Sequence, residues 1–302
     1  MSIRFGVSPI AWINDDMPEL GGDTPLEKMF SDCRDVGFEG IELGGKFPRD
    51  PAILRPMLAS YGLDLIGGWY SSYLLERDVD AEIEAMQPQL ALLEAMGSTV
   101  FVDAECSMAL NGDRTHPLRN QPLVPEGQWG LFGERLTKIA EYVQSRGFRF
   151  AYHFHLGTVV EKPADLEAFL ANTDPAVGFV IDTGHAVLGG IDPVALIQQH
   201  PERVNHVHTK DIRRTIFDQI ACDGDSFLDG VLKGMFTVPG DGEIDFGAVM
   251  QALRQIDYSG WIVIEAEQDP ALADPREYSQ IGLATLKREA GNAGFFHSEA
   301  AE

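Results

Sequence analysis

Apolar residues along this chain switch repeatedly between two periods. Short apolar or alternating runs predict β-strands at residues 3–8, 37–42, 63–66, 98–103, 148–154, 177–182, 203–211 and 261–265. Apolar residues three or four apart predict helices over 24–36, from about 50, over 80–96, 129–145 and 163–170, from 193, and over 246–255 and 276–289. Thr24 is placed to cap the first of these with Pro25 at its first position, and Asp192 precedes Pro193 in the same way. On the helix at 80–96, Ile83, Met86, Leu90, Leu93 and Met96 share one face, so the methionines belong to a core. Eight strands alternating with helices, with no linker, predict one α/β domain over residues 1–302, a (β/α)8 TIM barrel. A doubly wound open sheet is the alternative, but no G-x-G-x-x-G follows the first strand. Two connections, at about 104–128 and 213–243, are long; each follows a strand and so belongs to the C-terminal face, where barrel active sites lie.

Composition narrows the partners. The formal charge of −24 disfavours nucleic acid and anionic membranes, and a neutral polyol is easier to accept than a phosphate. Cys33, Cys106 and Cys222 show no zinc-type spacing and are expected to be reduced. The opening Met1-Ser-Ile-Arg-Phe5 leads directly into a strand without the pattern of a signal peptide, and no run reaches membrane-spanning length. A cytoplasmic protein is expected, and a homo-oligomer stays open.

The stretch from Arg203 to Asp211 carries the first chemical signal. As a strand it puts Val204, His206, His208 and Lys210 on one face, where two imidazoles and an ammonium are costly to bury unpaired. Alone, they read as hydrogen-bonded core histidines. However, His153, His155 and His185 also fall at strand ends, beside Asp182, Glu265 and Glu267, whereas only His116, His200 and His297 lie elsewhere. A barrel gathers such ends around one point, and mixed imidazole and carboxylate ligands suit a first-row divalent ion, with oxygen-rich sites favouring Mn2+ or Co2+. Singly, each acid is also an ordinary cap or surface charge. Three further segments follow strands: Trp12-Ile-Asn-Asp-Asp16, Gly44-Gly-Lys-Phe-Pro48 and Gly67-Gly-Trp69. Lys46 is a candidate proton donor or a plain surface lysine, and Trp69 a pocket wall or core. In the second long connection, 226–236 predicts a short helix and 238–245 a Gly-rich turn, with Phe227 and Phe236 placed to exclude water.

Several of these motifs resemble one family. Asn14-Asp-Asp16, Gly40-Ile-Glu-Leu-Gly-Gly-Lys-Phe-Pro48, Tyr152-His-Phe-His-Leu-Gly-Thr158, Asp182-Thr-Gly-His185, Val207-His-Thr-Lys-Asp-Ile212 and Val263-Ile-Glu-Ala-Glu-Gln-Asp-Pro270 are similar to the inosose dehydratases of myo-inositol catabolism. So is Phe227-Leu-Asp-Gly-Val-Leu-Lys-Gly-Met-Phe-Thr-Val-Pro-Gly240. The resemblance implies a xylose-isomerase-like barrel that removes water from 2-keto-myo-inositol (scyllo-inosose) to give a trihydroxycyclohexane-1,2-dione. It also implies Mn2+ or Co2+, and glutathione is associated with the family. The superfamily's Glu, Asp, His, Glu ligand set falls on His153, Asp182, His208 and Glu265. His153 departs from that pattern: either it replaces the carboxylate or another group, such as Glu267, supplies the ligand. Candidates for the base are His155, Glu267 and Lys210; His185 and Lys46 are candidates to protonate the leaving group. Trp12, Asn14, Glu42, Trp69, His206, Arg213 and Phe227 are the expected substrate contacts. A ketose or inosose epimerase using the same enediolate is the nearest alternative, and a non-catalytic polyol sensor a more distant one.

Overall fold

The computed structural model describes residues 2–296, so His297 lies outside the described residues. The chain runs β1 (Ile3–Val7), α1 (Leu26–Val36), β2 (Gly40–Ile41), α2 (Pro51–Ala59), β3 (Asp64–Leu65), β4 (Trp69–Ser72), α3 (Val79–Met96), β5 (Val100–Glu105), α4 (Trp129–Ser145), β6 (Arg149–Tyr152) and α5 (Pro163–Asn172). It continues with β7 (Gly178–Asp182), α6 (Thr183–Gly189), α7 (Pro193–Gln199), β8 (Val204–Thr209), β9 (Asp211–Ile212), α8 (Arg214–Asp223), α9 (Phe227–Leu232), β10 (Phe236–Thr237), α10 (Phe246–Gln255), β11 (Gly260–Ile264) and α11 (Pro275–Asn292).

The parallel sheet has the order β3-β2-β1-β11-β8-β7-β6-β5-β4, and its two ends, β3 and β4, are consecutive in the chain. They are two halves of one barrel strand, broken at Gly67-Gly68. The first half pairs with β2 and the second with β5, which closes an eight-stranded ring. Only glycine fits at the break, because a Cβ on Gly67 would stand 2.6 Å from the Val100 carbonyl oxygen and one on Gly68 2.6 Å from Leu43 Cβ. The strand predicted to end at 66 therefore continues to Ser72. Inside the ring, Val100, Val102, Ala151 and Val180 form one small apolar layer, and Ile66, Trp261 and Val263 another. The main core lies outside the ring, between strands and helices.

Local corrections are modest. Pro25, not Thr24, is the N-cap residue of α1, while Asp192 caps α7 through Val194 N–H at 2.9 Å as expected. The 213–243 connection holds two helices, α8 and α9, and the antiparallel pair β9–β10. Asp211 organises it: its carboxylate accepts the backbone N–H groups of Gly240, Gly242, Glu243 and Ile244 at 2.9–3.1 Å, pinning the Gly-rich turn against the barrel. This connection docks on the other long loop through Arg114–Asp229 at 2.5 Å and Leu118 N–H to the Asp225 carbonyl at 2.7 Å. Leu118, Leu156, Leu188, Ile220, Phe227 and Phe236 fill a second, smaller core beneath that junction, so the two loops form one roof.

One buried acid in the barrel–helix layer gives a stability prediction. Asp103 stands in register between Tyr70 and Tyr152; its Oδ2 accepts Ser72 Oγ–H at 3.1 Å, and Oδ1 has no partner. Burial pushes its pKa well above the ordinary value, which the Ser72 hydroxyl opposes and Glu105 and Glu82 reinforce. The unfolded chain releases that proton near pH 3.8 while the folded chain keeps it, so stability falls as pH rises through the window between the two values. Asp103→Asn is expected to melt above wild type at neutral pH, with the gap closing towards pH 4. Thermal unfolding across pH 4–8 checks this, and a gap independent of pH would contradict it.

Candidate active site

Every group of the site comes from the C-terminal end of a barrel strand, as the register explains. Asp182, the last residue of β7, pairs with His208 on β8, and His208 pairs in turn with Val263 on β11, two residues before Glu265. A bulge in the β7–β8 register between Phe179 and Val180 sets this alignment. His153 follows β6, and its backbone N–H donates to the Asp103 carbonyl at 2.6 Å. One donor atom from each of His153, Asp182, His208 and Glu265 lies within 4.8 Å of all the others, and all four residues are buried.

Each of the four is held by its far side. His153 Nδ1–H donates to the Phe154 carbonyl at 3.0 Å, leaving Nε2 unpaired 3.6 Å from Asp182 Oδ2. Asp182 Oδ1 accepts the His185 N–H at 2.9 Å as the cap of α6, which leaves Oδ2 without a hydrogen bond. His208 Nε2–H donates to Glu42 Oε1 at 3.0 Å, and its Nδ1 meets Glu265 Oε2 and lies 3.8 Å from Asp182 Oδ2. Glu265 Oε1 accepts from Lys210 at 3.0 Å. These buried lone pairs converge on one point, a donor set of two imidazoles and two carboxylates that suits a divalent cation at about 2.0–2.2 Å from each donor. Metal-ligating histidines have their other nitrogen tied to a carboxylate or carbonyl in the same way. His153 thus stands with the other three where a carboxylate was the superfamily expectation.

A second layer surrounds Lys210, which is fully buried. Its Nζ donates to His185 Nε2 at 2.8 Å, Glu265 Oε1 at 3.0 Å and Glu267 Oε1 at 2.6 Å, and sits 4.7 Å from the centre of the Phe236 ring. Burial works against the ammonium, but Asp182, Glu265 and Glu267 outweigh it and raise its pKa. Burial pushes Glu267 up to about 7 despite Lys210, and its Oε2 has no partner. His155 Nδ1–H donates to the Leu156 carbonyl at 2.7 Å; burial, with His153 and Lys210 nearby, pushes its pKa down to about 3. His185 is likewise held neutral, first by burial and then by His155 and Lys210. Burial also opposes the Glu42 carboxylate, yet His208 and His206 bring its pKa down to about 2.

Above these groups opens a cavity of about 410 Å3, lined among others by Asp16, Glu42, Arg49, Trp69, Ser71, Tyr73, Asn111, His155, His208, Glu265 and Glu267. A wider depression of about 780 Å3 at the opposite mouth, around Arg4 and Arg149, holds none of the site residues. Trp69 walls the cavity, with its ring 5.3 Å from His153 and 5.6 Å from His155. Phe227 backs it, 5.2 Å from the His155 ring.

Several sequence-level candidates stand elsewhere. Lys46 Nζ donates to the Gly22 and Thr24 carbonyls at 2.6 and 3.1 Å, and Lys46 is not among the residues that line the cavity. Trp12 is buried with its indole N–H on Asp32 at 3.1 Å, and Asn14 Oδ1 caps the N–H groups of Asp16 and Met17 at 2.8 Å. Arg213 is spent on the roof, on the Gly234 carbonyl at 2.8 Å and on Asp241. His206 lies below the cavity, its Nε2–H on Glu42 Oε1 at 2.9 Å; Glu42 accepts from His208 at the same oxygen and itself lines the cavity. Lys210 has its N–H bonds engaged by His185, Glu265 and Glu267, and His185 Nε2 accepts one of them. Sequence reasoning missed Tyr73, Ser71, Arg49 and Asn111 in the wall; the alternation of Trp69 and Ser71 after the glycine pair was the available signal for one of them.

Comparison with known proteins agrees with this architecture. Residues 30–289 match the xylose isomerase-like TIM barrel family. The chain is 45% identical over 301 residues to the rhizopine catabolism protein MocC of Rhizobium meliloti, covering 99% of this chain and 92% of that one. It is 38% identical over 292 residues to inosose dehydratase 1 of Bacillus cereus, covering 96% and 98%. Among solved structures, the IOLI protein with a bound zinc atom superposes with a TM-score of 0.66 at 15% identity, covering 96% of this chain and 97% of that one. No helix of the described residues is long and apolar enough to cross a membrane. Likeness over nearly the whole length, on a closed barrel whose polar groups gather at the strand ends, makes this chain a member of the inosose dehydratase family of enzymes within the xylose isomerase-like TIM barrels.

Proposed function

We propose that this enzyme removes water from 2-keto-myo-inositol (scyllo-inosose), giving a trihydroxycyclohexane-1,2-dione, as a cytoplasmic step of myo-inositol catabolism. The observation that carries the proposal is the convergence of His153, Asp182, His208 and Glu265 beside a carboxylate, Glu267, whose Oε2 is free at a cavity wall. The 38% identity to inosose dehydratases supports the substrate. Those four residues would hold Mn2+ or Co2+, which as a Lewis acid stabilises negative charge developing on a ketone oxygen. Glu267 is the base we assign for the proton on the carbon beside the carbonyl. Lys210 fixes its Oε1, while Oε2 of this cavity-lining residue has no hydrogen bond. His155, with Nδ1–H committed to a carbonyl, offers Nε2 to a ring hydroxyl, and Trp69 supplies an apolar wall for the ring's C–H face.

Purified protein with Mn2+ and scyllo-inosose tests this, glutathione being added to keep Cys106 in the cavity wall reduced. Accumulation of a species absorbing as the dione, eighteen mass units below the substrate by loss of about one water, is the expected result. Products of unchanged mass would replace the dehydratase with an epimerase. Thermal stabilisation by inosose without turnover would leave a polyol sensor.

A further inference from the structure

Water elimination needs a proton donor as well as a base, and the cavity leaves few groups free to be one. All three N–H bonds of Lys210 are engaged, on His185, Glu265 and Glu267, so none remains for a substrate hydroxyl. The segment Asn14-Asp15-Asp16 after β1 is different. Asn14 Oδ1 accepts the N–H groups of Asp16 and Met17, and Asp15 Oδ2 accepts the Gly45 N–H at 2.9 Å. A Cβ on Gly45 would lie 2.6 Å from Asp15 Oδ1, so this junction between the β1 and β2 loops is tightly closed. Two of the three polar side chains thus hold the loop in place. The third, Asp16, is solvent-accessible at the cavity mouth and lines it with His208, Glu265 and Glu267, and among the described residues its carboxyl has no hydrogen bond or ion pair to the protein. Desolvation, then Asp15, raise its pKa above the ordinary aspartate value, with Lys210 opposing and Glu265 adding to the rise.

We infer that Asp16 is a further catalytic residue, which delivers the proton to the hydroxyl that leaves the ring. The inference rests on the dehydratase reading. In the step, Glu267 takes the proton from the carbon beside the carbonyl, and that electron pair forms the new carbon–carbon double bond. The carbon–oxygen bond one carbon further breaks, and the hydroxyl departs as water with the Asp16 proton. Glu267 returns its proton to solvent and Asp16 regains one, so nothing is oxidised or reduced and one water is released.

Asp16→Asn keeps the size and removes the proton. On scyllo-inosose, kcat is expected to fall by about 10²–10⁴-fold, with KM changed less than about threefold and Mn2+ affinity and melting temperature as in wild type. The wild-type decline of kcat at alkaline pH should vanish in the variant, and Asp16→Glu should restore part of the rate. A substrate with fluoride in place of the departing hydroxyl needs less help in leaving, so the variant should approach wild type on it. Wild-type kcat in Asp16→Asn, or an equal defect on the fluoro compound, would overturn the role. If wild type itself forms no dione, the dehydratase reading fails as well; if it does while Asp16→Asn is unimpaired, only this inference fails.

Discussion

Asp182→Asn should lower turnover by about a thousandfold or more, because a metal-ion site supplies several kcal/mol of charge stabilisation and each 1.36 kcal/mol is tenfold in rate. Asp182 is the one residue whose Oδ2 faces His153 Nε2, His208 Nδ1 and Lys210 Nζ together, at 3.6, 3.8 and 3.6 Å. The asparagine retains an oxygen for the His185 N–H, so the cap on α6 persists and the barrel should fold. Equilibrium dialysis with Mn2+, beside turnover and melting temperature, separates loss of the ion from loss of the fold. Undiminished Mn2+ binding and turnover would remove Asp182 from the ligand set.

Lys210→Met should act on the fold itself. Lys210 is fully buried and its Nζ lies within 3.6 Å of three carboxylates, those of Asp182, Glu265 and Glu267. Removing the cation from a buried pair leaves the partner charge uncompensated, which costs about 3–5 kcal/mol. For a chain of this size that corresponds to a drop in melting temperature on the order of 10 °C. Saturating Mn2+ should restore part of the loss, since the ion binds the folded state and neutralises Asp182 and Glu265. A melting temperature equal to wild type in the metal-free protein would show that these carboxylates take up protons instead.

Much of the site was legible in the sequence. A strand face reading Val204, His206, His208, Lys210 conflicts with an apolar barrel interior, and acids at the ends of other strands gave the compensating charge. Residue type and period placed His153, Asp182, His208 and Glu265 at strand ends, and the structure brings these four together. The roles were less legible. Lys46 reads as a proton donor from its position after a strand, yet two backbone carbonyls capture it. Asn14 and Asp16 are two residues apart and look alike in sequence; one closes a turn and the other faces the cavity. Which hydrogen bonds a polar side chain accepts locally depends on backbone dihedral angles that composition does not encode.

Alternating periodicity and strand-end polarity, both local properties, are sufficient for the eight-strand barrel and for the imidazoles and carboxylates at its strand ends. Tertiary structure decided the alignment. The bulge between Phe179 and Val180 moves β7 by one residue against β8, so that Asp182 stands opposite His208 and not Val207. In a sheet of period two, that single step determines whether two side chains share a face, and it is specified by packing between strands rather than by either strand alone.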